Sequence, residues 1–520
     1  MKRVRLIGFM VALPDPGVRI KATVSTHNGT AEHTGLVLPP ASKGHISIKL
    51  DNGYNVSYPA EDLLDWEPMP SNDQPKATEL NAPEADTALP RIRLIHTGGT
   101  IASKVDYATG AVEAKFEPEE MLDAIPELAS IARLDAVKIG NMFSDDIRPH
   151  HWNIISDACA QAFADGCRGV VIAHGTDTLH ITSSALNFAF AGKGTRPAGP
   201  IVMVGSQRSS DRGSSDATEN LLAAVHWAAN GPLPNGDSGD SVVVVMHNSQ
   251  SDGVMAVHSG LAVRKMHSSR RDAFHPVNGQ PLASLSMTPK GFTVTTAPWY
   301  DDAREAASKR PVAERPTTYE TGQRIAQFIA GPWLHAEHVE AVVSTGVQGV
   351  VFHGTGLGHL PIDDPQNDAP ENALLWRILT RCVNRELPVV IVNQCIHGPV
   401  DMNVYSKGRK QQAMGLLGHG VSSTPEAMTA KLHWVLSQNI NVKEALSSNL
   451  CGEHRETLRE SAFESRTEKE CKDRGDQPQP CDGRASRQAG DRSSWRWIEA
   501  PRGHSDQRQG YGKGPNWFAS

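Results

Sequence analysis

The sequence carries seven cysteines, Cys159, Cys167, Cys382, Cys395, Cys451, Cys471 and Cys481, and no CxxC pair among them. Disulfide frameworks and zinc ribbons need paired, closely spaced thiols, so neither is expected, and a reducing, cytoplasmic setting is the default. No run approaches the roughly 20 apolar residues of a membrane-spanning helix. Met1 to Arg5 followed by the apolar run Leu6 to Leu13 imitates a short signal peptide but lacks a small-residue cleavage site, so secretion is not expected. Basic residues are not in excess: 51 Lys and Arg stand against 58 Asp and Glu, a formal charge of −7. A whole surface that grips nucleic acid is therefore not expected. Nor is there a G-x-x-x-x-G-K-[ST] loop to cradle nucleotide phosphates; Gly192-Lys193-Gly194-Thr195 comes nearest and lacks the spacing.

What is present is a chain of 520 residues, 39% of them hydrophobic, enough for about three domains. Residues 17–24 and His45 to Leu50 alternate apolar and polar, and Asp51-Asn52-Gly53 is a hairpin turn, so residues 1–66, with their N-terminal lead-in, are expected to form a small all-β barrel. Residues 67–90 are rich in Pro, Ala, Asp and Glu without apolar periodicity and read as a linker. From Arg91 the rhythm changes. Continuous apolar runs at Ile92–Ile95, Val170–Ala173, Pro200–Val204 and Val242–Met246 alternate with helical stretches at Leu179–Ala191 and Thr218–Ala229. This predicts an α/β fold with a parallel sheet covered on both faces. The pattern returns at Gly349–Phe352 and Val389–Val392. Between those two runs Pro370 opens a helix with Leu375, Ile378, Leu379 and Cys382 on one face. Residues 91–315 and 316–458 are read as two successive α/β domains. The tail 459–520 has a single Ile, Leu, Val or Met beyond Glu464, Ile498, and is expected to be disordered. Trp495, Trp497 and Trp517 stand there beside arginines, which would suit stacking on RNA; a solvated extension is the plainer reading.

In an open parallel sheet, ligands sit beyond the carboxyl ends of the strands. Two segments occupy that position: Thr97-Gly98-Gly99-Thr100-Ile101 and His174-Gly175-Thr176-Asp177-Thr178. Each puts a hydroxyl beside glycines that let a substrate approach the backbone. A threonine hydroxyl is a weak nucleophile until a neighbour takes its proton, and Asp177 is suited to orient a lysine for that task. Taken singly, either stretch also reads as an ordinary tight turn.

These two motifs and Val263-Arg264-Lys265-Met266-His267-Ser268-Ser269-Arg270-Arg271-Asp272-Ala273-Phe274 stand in the order seen in the asparaginase/glutaminase family of amidohydrolases, which residues 91–452 resemble. The resemblance implies a two-domain parallel-sheet core, with Thr100 as nucleophile and Thr176, Asp177 and Lys265 as a second constellation in which Lys265 activates hydroxyl or water. It also implies that Ser144 and Asp145, with Asp177, hold the substrate's amino and carboxylate groups, and that Tyr107 is a lid residue. Backbone N–H groups around Gly99, Thr100 and Gly175 are candidates for an oxyanion hole. The stretch Gly44 to Val56 ahead of such a core is similar to the D-subunit family of archaeal glutamyl-tRNA(Gln) amidotransferases. That likeness implies a glutaminase that supplies ammonia to a partner, the E subunit of the same amidotransferase. The partner would hold Glu-tRNA(Gln) and use ATP and Mg2+, leaving this chain with no intrinsic cofactor. It further implies a homodimer within a heterotetramer. Departures are the lead-in before Gly17, a stretch around Gly231 to Asp240 and the tail.

Three other readings compete: a free type I asparaginase with an accessory domain, a nucleotide turn at Gly354-Thr355-Gly356-Leu357-Gly358, and a non-catalytic RNA adaptor. The turn lacks the second half of the G-x-G-x-x-G fingerprint. His174 is expected to shape its loop, since no ligand set accompanies it, and no metal site is expected. His267 reads equally as a surface residue. Asp216 and Asn220 are expected to cap a helix starting near Ala217, and Cys395 to be a small buried apolar group.

Overall fold

The computed structural model describes residues 12–26, 29–40, 44–50, 55–70, 88–99, 104–105, 112–113, 125–208, 215–307 and 309–454. The turn at 51–53, most of the 67–90 stretch and the 459–520 tail lie outside them.

The first sheet contains β1 (Arg19–Thr26), β2 (Gly29–Leu38), β3 (His45–Leu50), β4 (Asn55–Pro59) and β5 (Leu63–Pro68), in the order β4-β3-β2-β1-β5. All its pairings are antiparallel. Alternation in β1 buries Ile20, Ala22 and Val24, which meet Val37, Ile46, Ile48 and Leu63 in a core of their own. The expected barrel is thus a five-stranded antiparallel sheet in which β4 and β5 share no ladder among the described residues. β5 also runs through Glu67 and Pro68, into the stretch read as linker.

The main sheet begins with β6 (Arg91–His96). A small ladder, β7 (Lys104–Val105) with β8 (Val112–Glu113), stands apart from it. Then come β9 (Arg133–Lys138), β10 (Gly169–Ala173), β11 (Ile201–Val204), β12 (Val242–His247) and β13 (Val254–Ser259). A hairpin of β14 (Val263–Lys265) and β15 (Phe274–Pro276) precedes β16 (Ala283–Thr288) and β17 (Gly291–Thr296). The eight-stranded order is β17-β16-β13-β12-β11-β10-β6-β9. β9, β6, β10, β11 and β12 are parallel, and the continuous apolar runs of β10, β11 and β12 are fully buried at the centre of the sheet. Beyond β12 the sheet turns antiparallel. The parallel sheet expected from the sequence therefore gains an antiparallel side, in which β13 is buried while β16 and β17 are partly exposed and lack the continuous apolar signature.

The third sheet is parallel, β18 (Ile325–Ile329), β19 (Gly349–Gly354) and β20 (Val389–Asn393). On it pack the helix Pro370–Asn384, through Leu375, Ile378, Leu379 and Cys382, and the helix Pro425–Ser437. Thr424 caps the latter by accepting the Ala427 N–H at 3.1 Å.

The helix Leu179–Ala191 joins the two larger sheets. Every residue of it except Ile181 is buried, the mark of a helix enclosed on all sides. Leu186 and Phe190 belong to the core of the eight-stranded sheet, with Ile172, Met203 and Val244. Ala185 and Phe188 belong to the core of the C-terminal lobe, with Val351 and Trp434.

Near the end of the described chain, Lys431 Nζ meets Glu453 Oε1 at 2.7 Å, both side chains fully buried. Glu453 also accepts the backbone N–H groups of Leu450 and Cys451 at 2.9 and 2.8 Å. Burial alone would raise its carboxyl, but Lys431 and His454 outweigh burial and hold it below the usual range.

Candidate active site

The strand β6 delivers Thr97 to the end of β10, where its N–H and hydroxyl both donate to the Ala173 carbonyl, at 3.1 and 3.0 Å. Gly98 and Gly99 follow with φ of +122° and +92°. A Cβ on Gly98 would lie 2.3 Å from the Met142 oxygen, and one on Gly99 would lie 2.5 Å from the Gly175 nitrogen. The glycines thus permit two strand-end loops to press backbone against backbone, which is more than a tight turn requires. Thr100 and Tyr107 lie outside the described residues.

Across the contact, β10 runs into His174, Gly175, Thr176 and Asp177. Ser144 anchors this loop: its hydroxyl accepts the N–H groups of Asp177 and Thr178 at 3.1 and 3.3 Å. Its carbonyl accepts the Thr178 hydroxyl at 2.5 Å. A Cβ on Gly175 would come within 2.8 Å of Ser144 Cβ. Asp145, beside it, is exposed, and its carbonyl accepts from Arg148 at 3.0 Å. His174 is buried, with Nδ1 2.6 Å from the Gly175 carbonyl, and burial lowers its pKa to about 4.

Lys265 closes the group. From the end of β14 its Nζ reaches Thr176 Oγ1 at 2.9 Å and Asp177 Oδ1 at 2.7 Å. The lysine side chain is 10% exposed and the aspartate 68%, so the pair opens to solvent on the aspartate side. The sequence-predicted Thr176, Asp177 and Lys265 are therefore in mutual contact, with Ser144, Gly99 and Gly175 packed around the same loop. Such an arrangement gives a hydroxyl, the amine suited to receive its proton and a carboxylate to orient that amine.

A second layer supports the β14–β15 hairpin; Asp216 and Asn220 are expected from sequence only as helix caps, and His247 is not singled out there. Asp216 occupies the N-cap position of the helix Ala217–Asn230, yet its carboxylate does not cap it. Instead it accepts the N–H groups of Gln207 and Arg208 and the Asn220 amide, at 3.0 to 3.1 Å, and Ser215 caps Ala217. Asn220 then bonds His247 Nδ1 at 2.7 Å, and Arg271 donates to His247 Nε2 at 2.8 Å. The expected capping role is corrected: the Gln207–Arg208 turn competes for the carboxylate and wins it. Ser215-Asp216 with Asn220 four residues on, an S-D-x-x-x-N spacing, is the signal in the sequence, legible only once the turn is known.

Glu219, His247 and Asp252 bring potential ligand atoms within 4.8 Å of one another. The Arg271 guanidinium bonds both His247 and Asp252, so it holds the place a cation would take. Cys395 is exposed, contrary to expectation, because it follows β20 in a turn whose backbone N–H is accepted by Asn393 at 3.0 Å. The other described cysteines, 159, 167, 382 and 451, are free and buried. His267 Nδ1 accepts the N–H groups of Ser269 and Arg270 and shapes that turn. After β19, Gly354 to Gly358 makes a turn with no helix opening from it, so the nucleotide-binding reading lacks its structural setting.

Residues 91–297 match the asparaginase N-terminal family and residues 324–446 the glutaminase/asparaginase C-terminal domain. Among solved structures, L-asparaginase I of Vibrio cholerae is similar, with 28% identity and a TM-score of 0.56. It matches over 71% of this chain and all of its own length. The thermostable L-asparaginase of Thermococcus kodakarensis gives 27% and 0.55, over 70% of this chain and 99% of its own. Curated relatives extend further. The D subunit of glutamyl-tRNA(Gln) amidotransferase from Pyrococcus furiosus is 37% identical over 81% of this chain and 91% of its own. That of Sulfolobus acidocaldarius is 34% identical over 86% and 91%. With its asparaginase-like core and an added N-terminal sheet, the chain belongs to the D-subunit family of glutamyl-tRNA(Gln) amidotransferases.

Proposed function

We propose that this chain is the glutaminase subunit of the tRNA-dependent amidotransferase that converts Glu-tRNA(Gln) to Gln-tRNA(Gln). The observation that carries the reading is the Thr176–Lys265–Asp177 contact set, in a chain whose relatives at 34 to 37% identity are named as D subunits of that amidotransferase. In this reading the Thr100 hydroxyl attacks the side-chain amide carbon of glutamine and ammonia leaves with one added proton. Water then cleaves the acyl-threonine ester to give glutamate. Lys265, whose Nζ lies 2.9 Å from Thr176 Oγ1, is placed to take the proton of the Thr176 hydroxyl or of a water bound beside it. Ser144 serves by holding the Asp177 and Thr178 backbone, and Asp145 and Asp177 are open to the substrate's ammonium group. Gly99 and Gly175 set the backbone against which the reacting amide lies.

The proposal extends to assembly. The ammonia passes to the E subunit, which holds Glu-tRNA(Gln) and uses ATP and Mg2+ in the cytoplasm, and this chain works as a homodimer within a heterotetramer, without intrinsic cofactor. Among the described residues no helix is long and apolar enough to cross a membrane. The free-asparaginase alternative fits less well, because the two asparaginases above cover 70 to 71% of the chain against 81 to 86% for the two D-subunit relatives. Ammonia release from glutamine and asparagine, by the chain alone and with the E subunit, ATP and Glu-tRNA(Gln), tests it. Glutamine hydrolysis that rises with the partner and charged tRNA is the expected result. Rapid asparagine hydrolysis by the chain alone, indifferent to the partner, overturns it.

A further inference from the structure

Arg264 immediately precedes Lys265 on β14, and successive side chains of a strand point to opposite faces. Lys265 turns to Thr176 and Asp177, and Arg264 turns the other way to the C-terminal lobe. There its Nη2 meets Glu426 Oε1 at 2.9 Å, with the two side chains 31% and 17% exposed. Glu426 stands in the first turn of the helix Pro425–Ser437, fixed by the Thr424 cap. Its other oxygen is buried without a hydrogen-bond partner among the described residues. That carboxylate lines a cavity of about 90 Å³ shared with Trp152, Ile181, His353 and His433. The indole N–H of Trp152 is likewise buried without a partner among the described residues.

The charges around Glu426 single out Arg264 as its counterion. His180, three residues beyond Asp177, is within the field of Glu426, Arg264, Lys265 and Asp177, but burial lowers its pKa to about 4 and leaves it neutral near pH 7. His353 feels Glu426 and Arg264, and burial lowers its pKa too. His433 faces the same cavity, is lowered by burial, and is engaged with the Glu320 carbonyl at 2.8 Å. The guanidinium is thus the cation that Glu426 holds, and by holding it on one face the C-terminal lobe constrains where Lys265 points on the other.

We propose that Glu426 is a positioning residue for amide hydrolysis, acting through Arg264 on the reach of Lys265 toward Thr176. This rests on the role of Lys265 proposed above. The test uses the full chain with its partner subunit. Glu426→Gln keeps the side-chain volume and removes the charge. It is expected to lower kcat for glutamine by about ten- to a hundredfold, since small misplacements of a reacting group are costly. KM is expected to change by less than about twofold, because the interaction lost acts on the chemical step. Arg264→Met should do the same, and the double variant should be no worse than the poorer single one, as partners in one interaction are non-additive. Unchanged kcat, a loss confined to KM, or additive single effects overturns the proposal.

Competitive acetylation of Lys265 relative to the exposed Lys290, read by peptide mass spectrometry, gives a readout independent of turnover. Its ratio is expected to change in both variants, and an unchanged ratio overturns the proposal. Wild-type protein that releases no ammonia from either amide sinks the functional reading, and the labelling ratio then decides the positioning role alone. Should Glu426→Gln fail to fold, Arg264→Met carries the same test.

Discussion

Lys265 meets Thr176 from 89 residues further along the chain, so the contact is a product of topology, and its removal separates chemistry from folding. Lys265→Met and Thr176→Val are expected to lower glutamine turnover by about 10²- to 10⁴-fold, the usual share of a positioned proton acceptor. Circular dichroism should be unchanged, and near-normal turnover in a folded variant would rule out both assignments. Gly175→Ala tests the loop contact. Its methyl would meet Ser144 Cβ at 2.8 Å, and overpacking of that kind costs about 1 to 3 kcal/mol. We expect a lower Tm and a loss of activity together; a variant with wild-type turnover would show that the two loops need not touch. The types of residue at the site were legible in short motifs. Their partners were not, because Gly98 faces Met142, Gly99 faces Gly175 and Ser144 holds Asp177, all across the sheet rather than along the chain. Cys395 misled for the opposite reason: its type suggests burial, while its place after β20 puts it in a solvent-facing turn.

Among the elements, the helix Leu179–Ala191 links the loop of Thr176 to both large cores, so damage to it should be felt in both. Phe188→Ala removes a fully buried ring and is expected to cost about 3 to 5 kcal/mol. Tryptophan fluorescence during urea unfolding checks this. A transition that shifts as one unit fits a shared wall, and a shift confined to one lobe contradicts it. The Lys431–Glu453 pair makes a second case. Lys431→Met leaves Glu453 buried and unpaired, which typically costs about 3 to 5 kcal/mol, whereas pairing it with Glu453→Leu should recover much of the loss. A double variant as unstable as the single would argue against a desolvation origin. The parallel strands and their helices could be read from continuous apolar runs, and Leu179–Ala191 matched to the residue. β13, β16 and β17 could not be read that way. β13 is buried but ends in His258 and Ser259, β16 alternates and β17 is the partly exposed edge, and the Asp252-Gly253 turn and two-residue β16–β17 connection were the overlooked signs.

At the scale of the whole molecule, several histidines are buried in the neutral form. Burial lowers His174, His180, His247 and His454 to about 4, and His258 to about 3. In the unfolded chain each would take up a proton near pH 6.5. The unfolded state therefore binds more protons below that pH, so the stabilising contribution is complete above about 6.5 and falls away toward pH 4. The depressed Glu453 carboxyl acts in the same direction. Tm is expected to drop steadily as pH is lowered from 6.5 to 4, and a flat profile over that interval would contradict the buried neutral state of this set.

The order of the strands also sets a timetable for synthesis. The first sheet uses only residues up to Pro68, so it has all its strands as soon as they leave the ribosome. β6 must wait, because its neighbours β9 and β10 arrive later, and Lys265 emerges about 200 residues after the first sheet is complete. At about 5 to 20 residues per second, that interval is roughly 10 to 40 seconds. In the first part of it, until β9 and β10 emerge about 70 and 105 residues after Pro68, a folded N-terminal module would lead a nascent chain whose β6 has no partner strand, so an early-binding chaperone would find its target in β6 rather than in the module ahead of it.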